Sequence, residues 1–200
     1  MRPVCVIVGP PGAGKSTVAA MVAEALGVPV RDTDTDIEQT AGKPIPDIFV
    51  QDGEEHFRAL ERAAVAEALR DFGGVLALGG GAVLAEQTRA ALRGHTVVYL
   101  SVELPDALSR IGLGQGRPLL TVSPRATLKH LLDQRRPLYL AVAGVTVPTD
   151  GRSADEVAAT VLGAIREIGA GAASGATGRR SSLRCLARKV AVQAIRALRR

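Results

Sequence analysis

The sequence predicts an α/β fold in which helices cover both faces of a parallel β-sheet. Residues 3–8 (PVCVIV) form a short, nearly continuous apolar run rich in β-branched residues, which is typical of a strand buried on both faces. Similar runs alternate along the chain with segments of helical spacing, as in a doubly wound sheet. A length of 200 residues, 46% of them hydrophobic and 22% charged, fits one α/β domain with a sizeable core.

The predicted elements alternate from the N-terminus onward. The first strand leads into a glycine-rich loop at 9–14 and a helix at 15–26, which Gly27 ends. Further strands are predicted at 28–31, 75–78, 96–100 and 145–147. Short helices within 36–51, broken around Gly42 and Pro44, precede longer helical segments at 54–71, 85–92, 104–110, 125–142 and 154–168. Residues 111–124 contain three glycines and two prolines, which predicts a mobile loop.

The end of the chain differs in composition from the rest. Residues 169–180 are rich in Gly, Ala and Ser, which predicts a linker after a domain at 1–168. From 170 to 200 there are eight Arg or Lys residues and no acid, and subtracting them from the net charge of +5 leaves −3 for residues 1–169. At 181–200 the spacing favours a basic amphipathic helix that contacts an anionic surface or an acidic partner. A solvated extension without a partner is the alternative.

The remaining composition indicates a reducing compartment and no membrane anchor. Cys5 and Cys185 are far apart and have no metal-ligand spacing. No apolar run approaches the roughly 20 residues of a membrane helix, and the three residues before the first strand are too few for a signal peptide. We therefore expect a cytoplasmic monomer.

The strongest motif is Gly9-Pro-Pro-Gly-Ala-Gly-Lys-Ser16, a complete G-x-x-x-x-G-K-[ST] pattern. Backbone N–H groups of such a loop converge on phosphate oxygens at a helix N-terminus. Lys15 can reach the β- and γ-phosphates, and the Ser16 hydroxyl can ligate Mg²⁺. Because a strand precedes the motif and a helix follows it, we favour an ATP-binding loop over a simple glycine-rich turn. The loop alone leaves GTPases, ATPases and kinases open.

An acidic cluster follows the second predicted strand, at the edge where open α/β sheets bind ligands. Of Asp32 and Asp34, one carboxylate can act through Mg²⁺-bound water, and the other can accept a hydrogen bond from a substrate hydroxyl and take its proton. An N-cap for the following helix is the alternative; we prefer it for Asp36 and prefer the functional interpretation for Asp32 and Asp34.

Glycines and arginines at other strand ends can complete an acceptor site. Gly79-Gly80-Gly81 ends the third strand and allows close approach of a ligand, although such a turn needs no ligand. Arg58 and Arg136 can hold a carboxylate through bidentate contacts, although a lone surface arginine is usually only solvated. Arg117, inside the glycine-rich loop, can cover the γ-phosphate when that loop closes.

Six motifs in this order resemble those of the shikimate kinase family: GPPGAGKST at 9–17, DTD at 32–34, DGE-x-x-FR at 52–58, GGGAV at 79–83, RPLL at 117–120 and RRPLY at 135–139. The resemblance spans roughly residues 3–165. It implies transfer of the ATP γ-phosphoryl group to the 3-hydroxyl of shikimate, in chorismate synthesis. It also implies a P-loop NTPase fold similar to nucleoside monophosphate kinases, with strand order 2-3-1-4-5 and a mobile lid at about 111–124.

The resemblance implies a role for each matching position. Lys15, Asp34 and Arg117 are the implied catalytic residues, and Ser16 and Asp32 the implied Mg²⁺ site. Nucleotide contacts are implied at Gly12, Ala13, Gly14, Lys15, Ser16, Thr17, Arg110, Arg117 and Arg152. Shikimate contacts are implied at Asp34, Arg58, Gly79, Gly80, Gly81 and Arg136. The chain departs from the family after Arg152, where Ser153 stands in a position that is often proline.

Two rival functions share parts of this pattern. A gluconate or nucleoside monophosphate kinase would share the phosphate loop and lid, but the triple glycine together with Asp34, Arg58 and Arg136 favours a small carboxylated polyol. An ATP-binding regulatory module that acts through its basic tail would need neither a base nor a lid arginine.

Overall fold

The computed structural model describes residues 1–111 and 124–174, with the side chains of 124 and 170–174 left aside. The chain divides into two compact units, Met1–Gly163 and Ala164–Arg200. Within the described part, the first unit holds a five-stranded sheet and the helices around it. The described part of the second unit is the end of the last helix.

The strands are β1 (Cys5–Val8), β2 (Val30–Asp32), β3 (Val75–Ala77), β4 (Val97–Ser101) and β5 (Val145–Pro148). They pair in parallel in the order β2-β3-β1-β4-β5, which confirms the expected sheet. Because β1 is central, its residues are no more than 1% exposed. The carboxyl ends of β1, β2 and β3 therefore meet at one sheet edge, where α/β folds bind ligands.

The helices are α1 (Lys15–Leu26), α2 (Thr33–Ala41), α3 (Ile45–Gln51), α4 (Gly53–Asp71), α5 (Glu86–Ala91), α6 (Leu104–Ile111), α7 (Pro124–Val142) and α8 (Ala154–Ser174). A 3₁₀ turn at Ala82–Leu84 follows the triple glycine. Among the described helices, none is both long and apolar enough to cross a membrane.

Two helix bounds differ by three residues or more from those that the sequence predicted. α2 begins at Thr33, directly after β2, because Asp32 caps it; Asp36 therefore lies inside the first turn and is not the N-cap. α8 continues to Ser174, so the first residues of the predicted linker are helical. Alanine is the strongest helix former and offsets part of the cost of the interspersed glycines, about 1 kcal/mol each. The tail at 181–200 lies outside the described residues.

The core is aliphatic, as the scarcity of aromatic residues requires. Val6, Val8, Leu76, Val97 and Tyr139 belong to one buried cluster on the sheet. A smaller cluster of Ile37, Ile48 and Phe57 joins α2, α3 and α4. This second cluster fixes the positions of α2, α3 and α4 relative to one another.

Candidate active site

The phosphate loop joins β1 to α1 at the carboxyl edge of the sheet. Gly12 and Gly14 have φ values of 81° and 77°, a left-handed conformation that L-residues with a Cβ rarely adopt. Gly14 is also the N-cap of α1, so the first amides of the helix face the loop. Lys15 Nζ donates to the Pro10 carbonyl oxygen across the loop (3.2 Å). These features give the cradle of N–H groups and the lysine that bind phosphates.

Asp32 is both a helix cap and a partner of the phosphate loop. Its Oδ1 accepts the Asp34 backbone N–H at 3.0 Å, and its Oδ2 accepts the Ser16 hydroxyl at 2.6 Å. The capping and metal-binding interpretations of Asp32 are therefore compatible, because Oδ1 caps the helix whereas Oδ2 lies beside the Ser16 hydroxyl. Asp36, in contrast, accepts from Arg31 Nε at 2.6 Å and points away from the loop's serine.

A cavity of about 420 Å³ opens beside the loop. It is lined by residues of the loop, β2–α2, α4, the triple glycine and α7, among them Lys15, Ser16, Asp32, Asp34, Arg58, Glu61, Gly80, Gly81 and Arg135. One cavity thus joins phosphate-binding groups to several carboxylates and two guanidinium groups. Phe49, Phe57 and Leu128 add apolar surface to its wall, so the cavity suits a small ligand with both polar and apolar faces.

The side chains of Asp34 and Arg58 pack directly against the backbone of the triple glycine. A Cβ on Gly79 would collide with Asp34 Oδ1, and a Cβ on Gly81 would collide with Arg58 Nη1. Gly79 N–H donates to the buried Thr33 Oγ1 at 3.0 Å, which ties the turn to the start of α2. The glycines therefore let a carboxylate and a guanidinium lie directly on the backbone at the cavity floor.

Glu61 is a site residue that the sequence analysis missed. It is 3% exposed, and its Oε2 accepts from Arg58 Nη1 at 2.6 Å. Burial raises the pKa of the Glu61 carboxyl, and the charge of Arg58 opposes that shift. The sequence held part of the signal, because residues three apart share a helix face, but it did not show the burial that makes a cationic partner necessary.

Arg135, one residue before the predicted position, is the α7 arginine in the cavity. Its Nη1 donates to the Gly80 carbonyl oxygen at 3.0 Å, beside the Tyr139 hydroxyl, which donates to the same oxygen at 2.6 Å. Arg136 is exposed and pairs with Glu103 at 2.7 Å. Arg136, the position predicted to contact the substrate carboxylate, does not line this cavity, because consecutive helical residues point about 100° apart.

The predicted nucleotide side is assembled around Thr149. Arg110 Nη2 donates to the Thr149 carbonyl oxygen at 2.7 Å, and its Nη1 donates to Thr149 Oγ1 at 2.9 Å and to the Gly12 carbonyl oxygen at 3.5 Å. Arg152 instead bonds the Pro148 carbonyl oxygen and Thr160 Oγ1. Arg110 therefore lies at the phosphate loop, whereas the guanidinium of Arg152 is bound to the end of β5 and to α8. Arg117 lies outside the described residues.

Comparison with known proteins decides among the kinases that share this loop. The shikimate kinase family model matches residues 11–166. A shikimate kinase of Salinispora arenicola (strain CNS-205) is 71% identical over 161 residues, which cover 80% of this chain and 96% of that protein. The chain belongs to the shikimate kinase family.

Solved structures agree with this family membership. A shikimate kinase from Acinetobacter baumannii in complex with shikimate matches with a TM-score of 0.79 and 38% identity, over 84% of this chain and 94% of that one. A gluconokinase from Sinorhizobium meliloti 1021 matches with a TM-score of 0.52 and 20% identity, over 82% and 91% of the two chains, and so shares the fold alone. As a member of this family, the chain is an ATP- and Mg²⁺-dependent phosphotransferase of the shikimate pathway, producing ADP and shikimate 3-phosphate.

Proposed function

We propose that the 420 Å³ cavity is the site where shikimate receives the phosphoryl group. The observation that carries this assignment is that one cavity is lined by the phosphate-loop lysine, by Asp34 and by two arginines. A kinase acceptor must bring its hydroxyl within reach of the γ-phosphate, and a carboxylated acceptor needs cationic partners. The cavity supports both requirements.

Arg58 and Arg135 hold the substrate carboxylate in this proposal. Arg58 reaches the cavity from α4 and Arg135 from α7, so the two guanidinium groups approach from different elements. Glu61 accepts from Arg58 Nη1, whereas Arg58 Nε and Nη2 donate to the exposed Glu54. In this proposal the substrate carboxylate takes the place of Glu54 on that edge of the guanidinium. The backbone of Gly79–Gly81 lies beside the ring, and its lack of side chains leaves room for the substrate.

Asp34 is the proposed general base. Its carboxylate lies against Gly79 at the cavity floor, near the phosphate loop and two residues after the Asp32 cap. A carboxylate in this position accepts a hydrogen bond from the acceptor hydroxyl and takes its proton as the new P–O bond forms. The bond from the γ-phosphorus to the bridging oxygen of ADP breaks in the same transfer.

Ser16 and Asp32 would hold Mg²⁺. They supply two oxygen donors, a hydroxyl and a carboxylate, whose atoms lie 2.6 Å apart at the end of the phosphate loop. In the part of the chain that the structure describes, no cluster of three or more His, Cys, Asp or Glu residues could hold a metal. That fits Mg²⁺, which usually binds few protein ligands together with phosphates and water. When bound, the ion neutralises charge that develops on the phosphates.

The nucleotide contacts follow from the loop and its neighbours. The backbone N–H groups of residues 12–17 surround the phosphates, and Lys15 contacts the β- and γ-phosphates. Arg110, which donates to the Gly12 carbonyl oxygen, contacts the nucleotide from the other side of the loop. Arg152 belongs to the same side but is bound within its own strand–helix connection. Arg117 remains the proposed lid arginine, on the strength of the RPLL motif.

Three properties of the whole chain are also proposed. The body acts as a monomer in the cytoplasm, and the basic residues at 181–200 contact an anionic surface or an acidic partner. The separation of charge supports the last point, because the eight basic residues after 170 are accompanied by no acid. Binding of the full chain and of a 1–174 truncation to anionic vesicles, RNA and an acidic peptide tests it; equal binding by both proteins would refute it.

A substrate panel tests the main assignment. ADP release by the full chain is measured with shikimate, gluconate and nucleoside monophosphates as acceptors, at equal ATP and Mg²⁺. We expect turnover that depends on shikimate, with gluconate and the nucleotides at the background rate. Turnover with gluconate or a nucleotide instead of shikimate would overturn the assignment of the cavity.

A further inference from the structure

Two carboxylates join α6 to the β5–α8 connection in opposite directions. Asp150, in the connection, accepts the Glu103 backbone N–H at 2.7 Å, just before α6 begins. Asp106, in the first turn of α6, accepts the Gly151 backbone N–H at 2.9 Å through Oδ2. We call these four residues the reciprocal clamp. Each segment thus supplies one backbone N–H and one carboxylate to the other.

The clamp is continuous with the arginine at the phosphate loop. Asp106 Oδ2, which accepts from Gly151, also lies 3.3 Å from Arg110 Nη2, one helical turn further on. Among the described residues, Asp106 is the one acidic partner of Arg110 at ion-pair distance. Thr149, which accepts from the same guanidinium, is 2% exposed, and its hydroxyl is bonded to the Ser101 carbonyl oxygen at 3.0 Å. The Arg110 guanidinium therefore lies between the Asp106 carboxylate and Thr149, and Thr149 is bonded to the end of β4.

Close packing connects α6 to the phosphate loop itself. A Cβ on Gly12 would lie 2.9 Å from the Ala107 carbonyl oxygen and 3.2 Å from Ile111 Cγ1. The helix backbone is thus in contact with the loop backbone, without an intervening side chain. A small displacement of α6 would move the Arg110 guanidinium relative to the phosphate loop and alter the nucleotide site.

The turn that donates to Asp106 is shaped for this contact. Gly151 has φ 62°, a left-handed conformation that disfavours other residues, and the Arg152 backbone N–H closes the turn on the Thr149 carbonyl oxygen at 3.4 Å. That oxygen also accepts from Arg110. The turn therefore holds one acceptor for Arg110 while its glycine N–H is held by Asp106.

We propose that Asp106 is a positioning residue for nucleotide binding. Its carboxylate holds the Arg110 guanidinium and the 149–152 turn in one orientation beside the phosphate loop, and it acts on the nucleotide only through Arg110. This rests on the proposed function in one respect, that Arg110 contacts the nucleotide. It adds a residue to which no role in the reaction had been given.

The test compares nucleotide and acceptor binding in full-length variants. Asp106→Ala removes both contacts, and we expect the Kd for ADP and the KM for ATP to rise about fivefold, as for loss of one partly exposed ion pair. The KM for shikimate should change less than about twofold. Asp106→Asn keeps an acceptor for Gly151 without the charge, and should give an intermediate Kd. Asp133→Ala is the matched control, because it breaks an i,i+4 pair with Lys129 on α7 and should change neither constant.

Arg110→Ala and the double variant identify the route of the effect. If Asp106 acts through Arg110, the double variant should bind ADP no more weakly than Arg110→Ala alone. An unchanged Kd for ADP in Asp106→Ala would overturn the proposal. So would parallel increases in both KM values, a full additive loss in the double variant, or an effect of Asp106→Ala when Arg110→Ala has none. Because ADP binding needs no acceptor, failure of shikimate phosphorylation would count against the proposed function and leave this result intact.

Discussion

Asp34 combines a constrained position with access to the cavity. Its backbone N–H is held by Asp32, and its side chain lies on the Gly79 backbone, which has no Cβ to push it away. Thr33, between the two aspartates, is fully buried and accepts from the Gly79 N–H. These contacts therefore fix the position of the Asp34 carboxylate beside the triple glycine, as a general base requires.

Replacing Asp34 by Asn should remove the proton acceptor while keeping the shape of the side chain. We expect kcat to fall by about a hundredfold or more, with the KM for ATP nearly unchanged, as measured by coupled ADP release. Asp47→Asn, an exposed carboxylate in the first turn of α3, is the control and should retain full activity. A kcat for Asp34→Asn within about threefold of wild type would show that Asp34 only orients the hydroxyl.

The neighbouring residues Arg135 and Arg136 show that a shift of one residue along a helix determines whether a side chain faces the cavity. Arg135 is partly buried beside Gly80, whereas the side chain of Arg136 is 45% exposed and paired with Glu103. The motif RRPLY identifies the pair but not which member faces the cavity, because that depends on how α7 packs against the 3₁₀ turn and β4. Glu61 was missed for a related reason, since its role depends on burial that residue type alone does not show.

Removing each arginine in turn should separate their roles. Arg135→Ala should raise the KM for shikimate by about 10- to 100-fold, the loss of a charge-assisted contact to a carboxylate. Arg136→Ala should change it by less than about twofold, because its partner is an exposed glutamate. Steady-state kinetics at saturating ATP measure both, and thermal unfolding shows whether each variant is folded. A large rise in the KM for shikimate in Arg136→Ala, with little change in Arg135→Ala, would show that Arg136 contacts the carboxylate.

The two helices that carry the acceptor site are joined by an arginine on the neighbouring strand. Arg31, in β2, donates to Asp36 of α2 at 2.6 Å and to Glu67 of α4 at 3.0 Å. α2 carries Asp34, and α4 carries Arg58 and Glu61. Arg31 thus adds a polar link to the apolar contacts of Ile37 with Phe57, on the side of α2 away from the cavity.

Arg31→Leu should loosen the contact between α2 and α4. We expect the free energy of unfolding to fall by about 1 kcal/mol, since two partly exposed ion pairs are lost. Denaturant titration measures this change. Arg70→Leu is the matched control, because Arg70 pairs only with its exposed neighbour Asp71 among the described residues, and its midpoint should not move. Equal stability of wild type and Arg31→Leu would show that apolar packing alone holds the two helices.

At the level of elements, the sequence predicted a helix bound best where a single residue type ends the helix. Gly27 stops α1 in the left-handed conformation, as its position after an apolar helix predicted. The start of α2 was misplaced because Asp32, Asp34 and Asp36 are all plausible N-caps in the sequence, and only the end of β2 selects Asp32. The end of α8 was misplaced because a Gly/Ala segment is ambiguous between linker and helix.

On the scale of the whole molecule, the sheet is the frame to which both sides of the site are attached. The alternation of strands and helices follows from hydrophobic periodicity, but the strand order depends on long-range pairing that a local pattern does not encode. The order was therefore available only from the resemblance of six spaced motifs. β1 lies between β3 and β4, so the phosphate loop emerges from the most buried part of the fold.

Cys5 reports on this central strand. It is fully buried, and burial raises the pKa of its thiol to about 12, so almost no thiolate is present at pH 8. In a Cys185→Ser variant, we expect Cys5 to resist a thiol reagent in native buffer and to react at once in denaturant. The rate at intermediate denaturant should follow global unfolding. Complete labelling within minutes in native buffer would contradict the buried position of β1.

The proposed site brings ATP and shikimate together for transfer of the γ-phosphoryl group to one hydroxyl. The most direct measurement is ³¹P and ¹H NMR of a reaction containing the full chain, ATP, Mg²⁺ and shikimate. We expect ADP and one phosphate monoester, with the phosphorus coupled to the proton on carbon 3 of the ring. Inorganic phosphate without an ester, or an ester at another hydroxyl, would contradict it.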